Sequence, residues 1–196
     1  MSHLIMLELI QHTDLQIVHF INQSLSTSSL NIFFPFITDI HKNIYFSLPM
    51  VSLIIYFLVR KYKKAGLIYF FFFVCSVGLS DFTGSIVKNH FNRPRPYTQS
   101  EITVEQRSPA NPNKSFYSNH SSNSFAIANY LGFVFPAGKL IYYGLAFMIA
   151  YSRIYNGVHY PSDVICGAVM GLIISYSFYQ LAFLTQKKFL IKGNKS

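Results

Sequence analysis

The chain has 196 residues, 51% apolar and 12% charged, against about 25% charged in an ordinary soluble domain. That deficit argues against a cytosolic globule, and the apolar content excludes a disordered chain. Sixteen Lys and Arg against seven Asp and Glu give a formal net charge of +9, which in so apolar a background points to anionic lipid or a phosphorylated substrate and not to nucleic acid.

Residues 1–43 are interrupted by His3, Glu8, His12 and Asp14, so they form no continuous apolar span. They lack the basic start and small-residue cleavage site of a signal peptide. Ile5, Leu9, Ile17 and Phe20 trace an approximate helical stripe, and residues 24–29 are a polar break. The segment reads as amphipathic helices lying at the membrane interface, with a sixth span over residues 15–40 as the alternative. Five apolar runs follow, at 44–59, 65–87, 122–135, 140–154 and 164–184. A bilayer-spanning helix needs about 20 mostly apolar residues, and these five predict an all-α, integral-membrane helical bundle of five to six transmembrane helices. Residues 1–196 read as one domain, with no internal repeat. Cys75 and Cys166 both lie in apolar runs and read as small buried hydrophobes, neither a disulfide nor a metal site. Gly167 and Gly171 form a small-xxx-small pair that favours close helix packing.

With five spans, Arg60, Lys61, Lys63, Lys64, Lys139, Lys187, Lys188, Lys192 and Lys195 share one side. Lys42, Lys88, Arg93, Arg95, Arg107, Lys114 and Arg153 share the other. The first set is compact and flanks the spans, which puts it in the cytoplasm. The loops at 88–121 and 155–163 then face outward, and they hold most of the unusual polar residues. Lys88, Arg95 and Arg153 are placed to converge on one anion: Arg offers forked donors matched to phosphate oxygens, and Lys a point charge. Two histidines in such a site divide the work, one attacking phosphorus and the other protonating the leaving oxygen. Asp163 lies four residues after His159, on the same face of a helix beginning there, where a carboxylate holds the imidazole tautomer. Asp81, an ionisable group inside the second run and two turns before Lys88, either supports the site from behind or bonds to a neighbouring helix through Ser80 or Thr83. Arg93 reads as a solvated cation, and His12, His19 and His41 as interfacial residues. Arg107 and Lys114 lie in a long polar loop placed to cap the site.

Lys88, six residues, then Arg95-Pro96 resembles the first signature of the type 2 phosphatidic-acid phosphatases, a family that shares a superfamily with bacterial acid phosphatases and vanadium haloperoxidases. Ser152-Arg153, five residues, His159, three residues, Asp163 resembles the third. The second signature is normally Pro-Ser-Gly-His; Tyr117-Ser118-Asn119-His120 stands in its place, matching at Ser and His. The resemblance covers residues 81–171. It implies that Lys88, Arg95 and Arg153 hold phosphate oxygens, that Ser118 bonds another, and that a backbone amide near Asn119 donates to the phosphate. It implies His159 as nucleophile, forming a phosphohistidine, His120 as general acid and Asp163 as the support of His159, with no metal or cofactor. The expected function is hydrolysis of a lipid phosphate or diphosphate, undecaprenyl diphosphate and lipid A phosphate leading, in a bacterial inner membrane with the site facing the periplasm or exterior. The expected partners are the phosphorylated lipid and the bilayer, and the oligomeric state is open. The rivals are a lipid phosphotransferase using the same site, a soluble haloperoxidase, which the apolar spans oppose, and a non-enzymatic lipid-binding or transport protein.

Overall fold

A computed structural model describes residues 2–193 and the side chains of residues 8–189. The side chains of His3, Ile5, Lys192 and Lys195, used above, lie outside that set. Among the described residues the regular structure is entirely helical: α1 (Ser2–His19), α2 (Ser28–Asp39), α3 (Ile44–Tyr62), α4 (Gly66–Phe91), α5 (Asn119–Val134), α6 (Lys139–Tyr155) and α7 (Pro161–Gly193).

The helix boundaries follow from local chemistry. Thr27 caps α2 by accepting from Leu30 N at 3.3 Å, and Asn43 opens α3 by accepting from Tyr45 N at 2.9 Å, each satisfying one orphan donor of a first turn. α4 stops where Asn92 adopts a left-handed backbone, φ 44°, which Asn tolerates better than most residues. Pro136 follows the end of α5. Pro161 opens α7, where a missing N–H costs nothing.

Among the described residues, two segments are long and apolar enough to cross a bilayer, Ile44–Thr98 and Pro161–Phe189. They contain three of the five expected spans. The other two fall on α5 and α6, which have 16 and 17 residues. Large apolar side chains such as Phe82, Phe147 and Ile173 point outward, each more than half exposed. On a protein in water they would be an association hazard; in a bilayer they are the surface the lipid requires.

α5 runs through the middle of the bundle against α4, α6 and α7, while α3 packs on α4 and α2 on α6. Lys61 donates to the carbonyl of Val134, Tyr69 Oη donates to Gln186 Oε1 at 2.7 Å, and Tyr130 Oη donates to Tyr69 O at 2.8 Å. These contacts gather the ends of α3, α5 and α7 at one end of the bundle. The end of α4 and the starts of α5 and α7 lie at the other. Asn129, inside α5, is fully engaged, as lipid favours: it donates to Leu172 O at 3.1 Å and accepts from Tyr143 Oη at 2.6 Å.

The N-terminal stripe is turned around. Leu9, Ile17 and Phe20 point outward, while Asp14, Leu15 and Val18 are buried against the protein. Cys75 and Cys166 are free thiols, each half-buried and not sealed in the core.

The helix pair α5–α7 approaches closely because of Gly167 and Gly171. A Cβ at Gly167 would lie 2.5 Å from Ser118 O, and one at Gly171 2.1 Å from Ser122 O. We expect Gly171→Ala to lower stability by about 1–3 kcal/mol through overpacking, read as a fall in the thermal unfolding midpoint in detergent. Gly78→Ala, with nothing within 4 Å of its Cβ, is the matched control and does not fall.

Candidate active site

His159 sits in the tight connection between α6 and α7, 2% exposed. That connection needs Gly157, whose φ of +70° suits glycine and whose Cβ would stand 2.5 Å from Glu105 O. His159 Nδ1 lies 3.4 Å from Asp163 Oδ2, one turn into α7, and Nε2 lies 3.1 Å from Arg95 Nη1. An arginine only donates, so Nε2 is the unprotonated nitrogen and Nδ1 carries the hydrogen toward the carboxylate. The reactive lone pair therefore faces the cations.

Asp163 is wholly buried and heavily bonded. Arg93 Nη1 donates to Oδ1 at 2.6 Å, Tyr160 N donates to Oδ2 at 2.9 Å, and Ser115 Oγ donates to Oδ2. Arg93 also reaches back to α1, Nη2 donating to Asp14 Oδ2 at 2.8 Å, and its guanidinium lies 3.9 Å over the Tyr160 ring. Asp14 in turn accepts from Ser162 N at 3.0 Å and from Ser162 Oγ. Arg93 is thus no solvated cation: it bridges two buried carboxylates. Sequence reasoning missed this pair because Asp14 is 79 residues from Arg93 and reads as a break in an apolar stripe.

The expected cations come together. Arg95 donates to Asn111 O at 2.6 Å, to Lys114 O at 2.9 Å and to Val158 O, so backbone carbonyls fix its plane beside His159. Arg153, 3% exposed, donates from Nη1 to Thr38 Oγ1 at 2.9 Å and to Ser108 Oγ at 3.4 Å. Its Nε is buried without a hydrogen-bond partner among the described residues. Lys88 Nζ donates to Asn119 Oδ1 at 2.5 Å, and Asn119 Nδ2 donates to Asp81 Oδ1 at 2.9 Å. Asn123 Nδ2 also donates to Asp81 Oδ1, at 3.1 Å. Of the two roles open to Asp81, these contacts match support of the site from behind, through Asn119 and Lys88. A Cβ on Gly84 would fall 2.2 Å from Asn119 Oδ1, so the larger residue at 119 is accommodated by glycine on the facing helix.

Ser118 caps α5, its Oγ accepting from Ser121 N at 3.4 Å, and its own N–H donates to Asp163 O at 3.1 Å. This cap places the N–H groups of Asn119 and His120 in the first turn of α5, where amides have no partner within the helix and favour an anion. His120 Nε2 is buried and lies 3.6 Å from Asp39 Oδ1, with the His41 ring centroid 5.5 Å away. His41 is therefore packed on a site residue and is not merely interfacial. Arg107 donates to Glu105 Oε2 at 2.6 Å and to Tyr155 O at 3.1 Å, tying the polar loop to α6, and Lys114 donates to Asn89 Oδ1 at 2.6 Å.

Both histidines are held neutral. Burial pushes the His159 imidazole well below its ordinary value, and Arg95, Arg153 and Lys88 push it the same way. His120 is lowered by burial and by Arg153, His159, His41 and Lys42. The arrangement is a neutral, buried His159 held between Asp163 and Arg95, with a second neutral imidazole, His120, beside Arg153.

A family profile described as the PAP2 superfamily matches residues 69–187. The chain is 28% identical over 142 residues to a lipid A 4'-phosphatase of Bacteroides thetaiotaomicron, covering 68% of this chain and 63% of that protein. It is 33% identical over 95 residues to the undecaprenyl-diphosphatase BcrC of Bacillus subtilis, 46% of each. The chain thus spans less than two thirds of the length of either curated relative. The crystal structure of Aquifex aeolicus LpxE superposes with a TM-score of 0.70 at 27% identity, over 85% of this chain and 94% of that one.

Removing Arg93 would leave two buried carboxylates uncompensated, and breaking a buried pair costs about 3–5 kcal/mol. We expect Arg93→Gln and Asp14→Asn each to lower the unfolding midpoint in detergent, with a clearly non-additive double variant. The lowered histidines set a pH trend. Unfolded His159 takes up a proton near pH 6.5 and folded His159 does not, so stability falls as pH drops below about 6.5, by up to about 1.4 kcal/mol per pH unit. Unfolding midpoints between pH 7 and pH 5 should fall less steeply in His159→Asn than in the wild type.

Proposed function

The chain belongs to the PAP2 superfamily, and on that premise we propose that it is a lipid phosphatase of the bacterial inner membrane, acting without a metal on a phosphate or diphosphate headgroup at the outward face. The observation that carries this reading is the placement of His159, with Nδ1 3.4 Å from Asp163 Oδ2 and Nε2 3.1 Å from Arg95 Nη1.

The steps follow from the geometry. A phosphoryl group enters the space bounded by Lys88, Arg95, Arg153 and the first-turn amides of α5, and these donors take its three non-bridging oxygens. His159 Nε2 attacks phosphorus, and the imidazolium that develops is stabilised by Asp163 through Nδ1. His120 protonates the leaving oxygen as the P–O bond breaks. Water then attacks the phosphohistidine with His120 as base, releasing phosphate and restoring His159. The dianionic phosphoryl group supplies the negative charge that allows His120 to hold a proton among so many cations.

The site lies at the end of the bundle opposite Lys61 and Gln186, where a substrate keeps its tail in the bilayer and presents its phosphate to the histidines. The compact basic cluster at that opposite end supports a cytoplasmic location there. The relatives act on undecaprenyl diphosphate and on lipid A by their names, which supports the same pair as the leading substrates here.

The test is phosphate release in detergent with EDTA present, over a panel of undecaprenyl diphosphate, lipid A, phosphatidylglycerol phosphate and phosphatidic acid. We expect EDTA-resistant release from at least one lipid, reduced by at least about a hundredfold in His120→Ala and to background in His159→Ala. Acid-labile protein-bound phosphate should not form in His159→Ala. Folded wild-type protein releasing no phosphate from any lipid overturns the reading.

A further inference from the structure

We propose that Asp39, at the C-terminal end of α2, is the positioning residue of the general acid: its carboxylate lies against His120 Nε2 and lets that imidazole carry the proton given to the leaving group. The inference rests on the phosphatase reading above and deepens it, because it assigns part of the site to the N-terminal segment, outside both signature loops.

The geometry is specific. Asp39 Oδ1 lies 3.6 Å from His120 Nε2, across 81 residues of sequence. Its side chain is 31% exposed and that of His120 is 24% exposed, so the pair sits in a partly dry mouth and not in bulk water. The residue one position earlier, Thr38, accepts from Arg153 Nη1 at 2.9 Å, so the end of α2 is fastened to the phosphate cradle itself. The chain then turns through Ile40–Lys42, bringing His41 edge-on to the His120 ring and Lys42 Nζ to 2.8 Å from Asp39 Oδ1.

The electrostatic need is equally plain. His120 faces Arg153 from α6, His159 from the α6–α7 connection, and His41 and Lys42 from the turn after α2; burial and these neighbours hold it neutral. Against these neighbours, Asp39 is the carboxylate within 4 Å of the His120 ring among the described residues. In the reaction, the electron pair of the breaking P–O bond goes to the leaving oxygen, which takes the Nε2 proton. The water that later cleaves the N–P bond returns a proton to Nε2. A carboxylate beside the imidazole raises its proton affinity, so that with the phosphoryl dianion bound it carries a proton that cations alone would expel. The nucleophile and the acid are then each served by one aspartate: Asp163 from its own helix for His159, and Asp39 from the far side of the bundle for His120.

Two measurements test this. The first uses full-length protein in detergent with saturating inorganic phosphate, following the imidazole resonances by NMR, His120 assigned through His120→Asn. Asp39→Asn should lower the His120 pKa by about one unit, a tenfold loss of proton affinity, and Asp39→Glu should restore most of it. An unmoved His120 titration in folded Asp39→Asn overturns the proposal. This readout stands even if the wild type hydrolyses no lipid, an outcome that would overturn the phosphatase reading alone. The second compares substrates. Loss of proton donation hurts poor leaving groups, so Asp39→Asn should slow hexadecyl phosphate by about tenfold or more and p-nitrophenyl phosphate by less than about threefold. The alkaline limb of kcat for hexadecyl phosphate should move to lower pH. Equal losses on both substrates with an unmoved pH profile would make Asp39 a structural partner of Lys42 and overturn the proposal.

Discussion

A carboxylate with no exposure to water is the constraint around which the site is assembled. An isolated buried charge costs several kcal/mol even after relaxation, so Asp163 exists in the folded protein only if donors surround it. Those donors come from separate stretches of chain: Arg93 from the turn after α4, Ser115 from the loop before α5, and Tyr160 N from the α6–α7 connection. Arg93 then needs its second carboxylate, Asp14 on α1. Satisfying one group fixes four segments at once, and His159 lies beside the result, its Nδ1 3.4 Å from Asp163 Oδ2.

The second constraint is steric. Without side chains at Gly167 and Gly171, α7 lies directly on the backbone of Ser118 and Ser122. That contact sets the first turn of α5, with His120 and its free amides, beside the start of α7, with Asp163. In a bilayer no hydrophobic driving force draws helices together, so close backbone approach and polar pairs such as Ser80 with Ser122 carry the association. The same glycines that hold the bundle together hold the two halves of the site at working distance.

Electrostatics then decide the protonation of the two histidines. Burial keeps both imidazoles neutral, helped by Arg95, Arg153 and Lys88 at His159 and by Arg153, His159, His41 and Lys42 at His120. On the proposed mechanism, negative charge from the phosphoryl group and from Asp39 reverses this for His120.

The sequence by itself determined the helical membrane class, because long apolar runs have no other economical fold. It also offered Lys88, Arg95, Arg153, His159 and Asp163 as candidates for one site, because their spacings resemble two signatures of the family, and the structure places Arg95 and Asp163 directly against His159. The small-xxx-small pair was legible as well, lying on one face of one helix. What only the tertiary structure decided are the long-range pairings. Asp14 with Arg93, Asp39 with His120 and Thr38 with Arg153 join residues about 80 to 115 positions apart. Nothing in the periodicity of residues 1–43 marks their polar members as anything but interruptions. Their meaning comes from the helices they meet, since a buried charge is defined by its partner and spacing along a chain carries no record of a partner that folding brings from elsewhere.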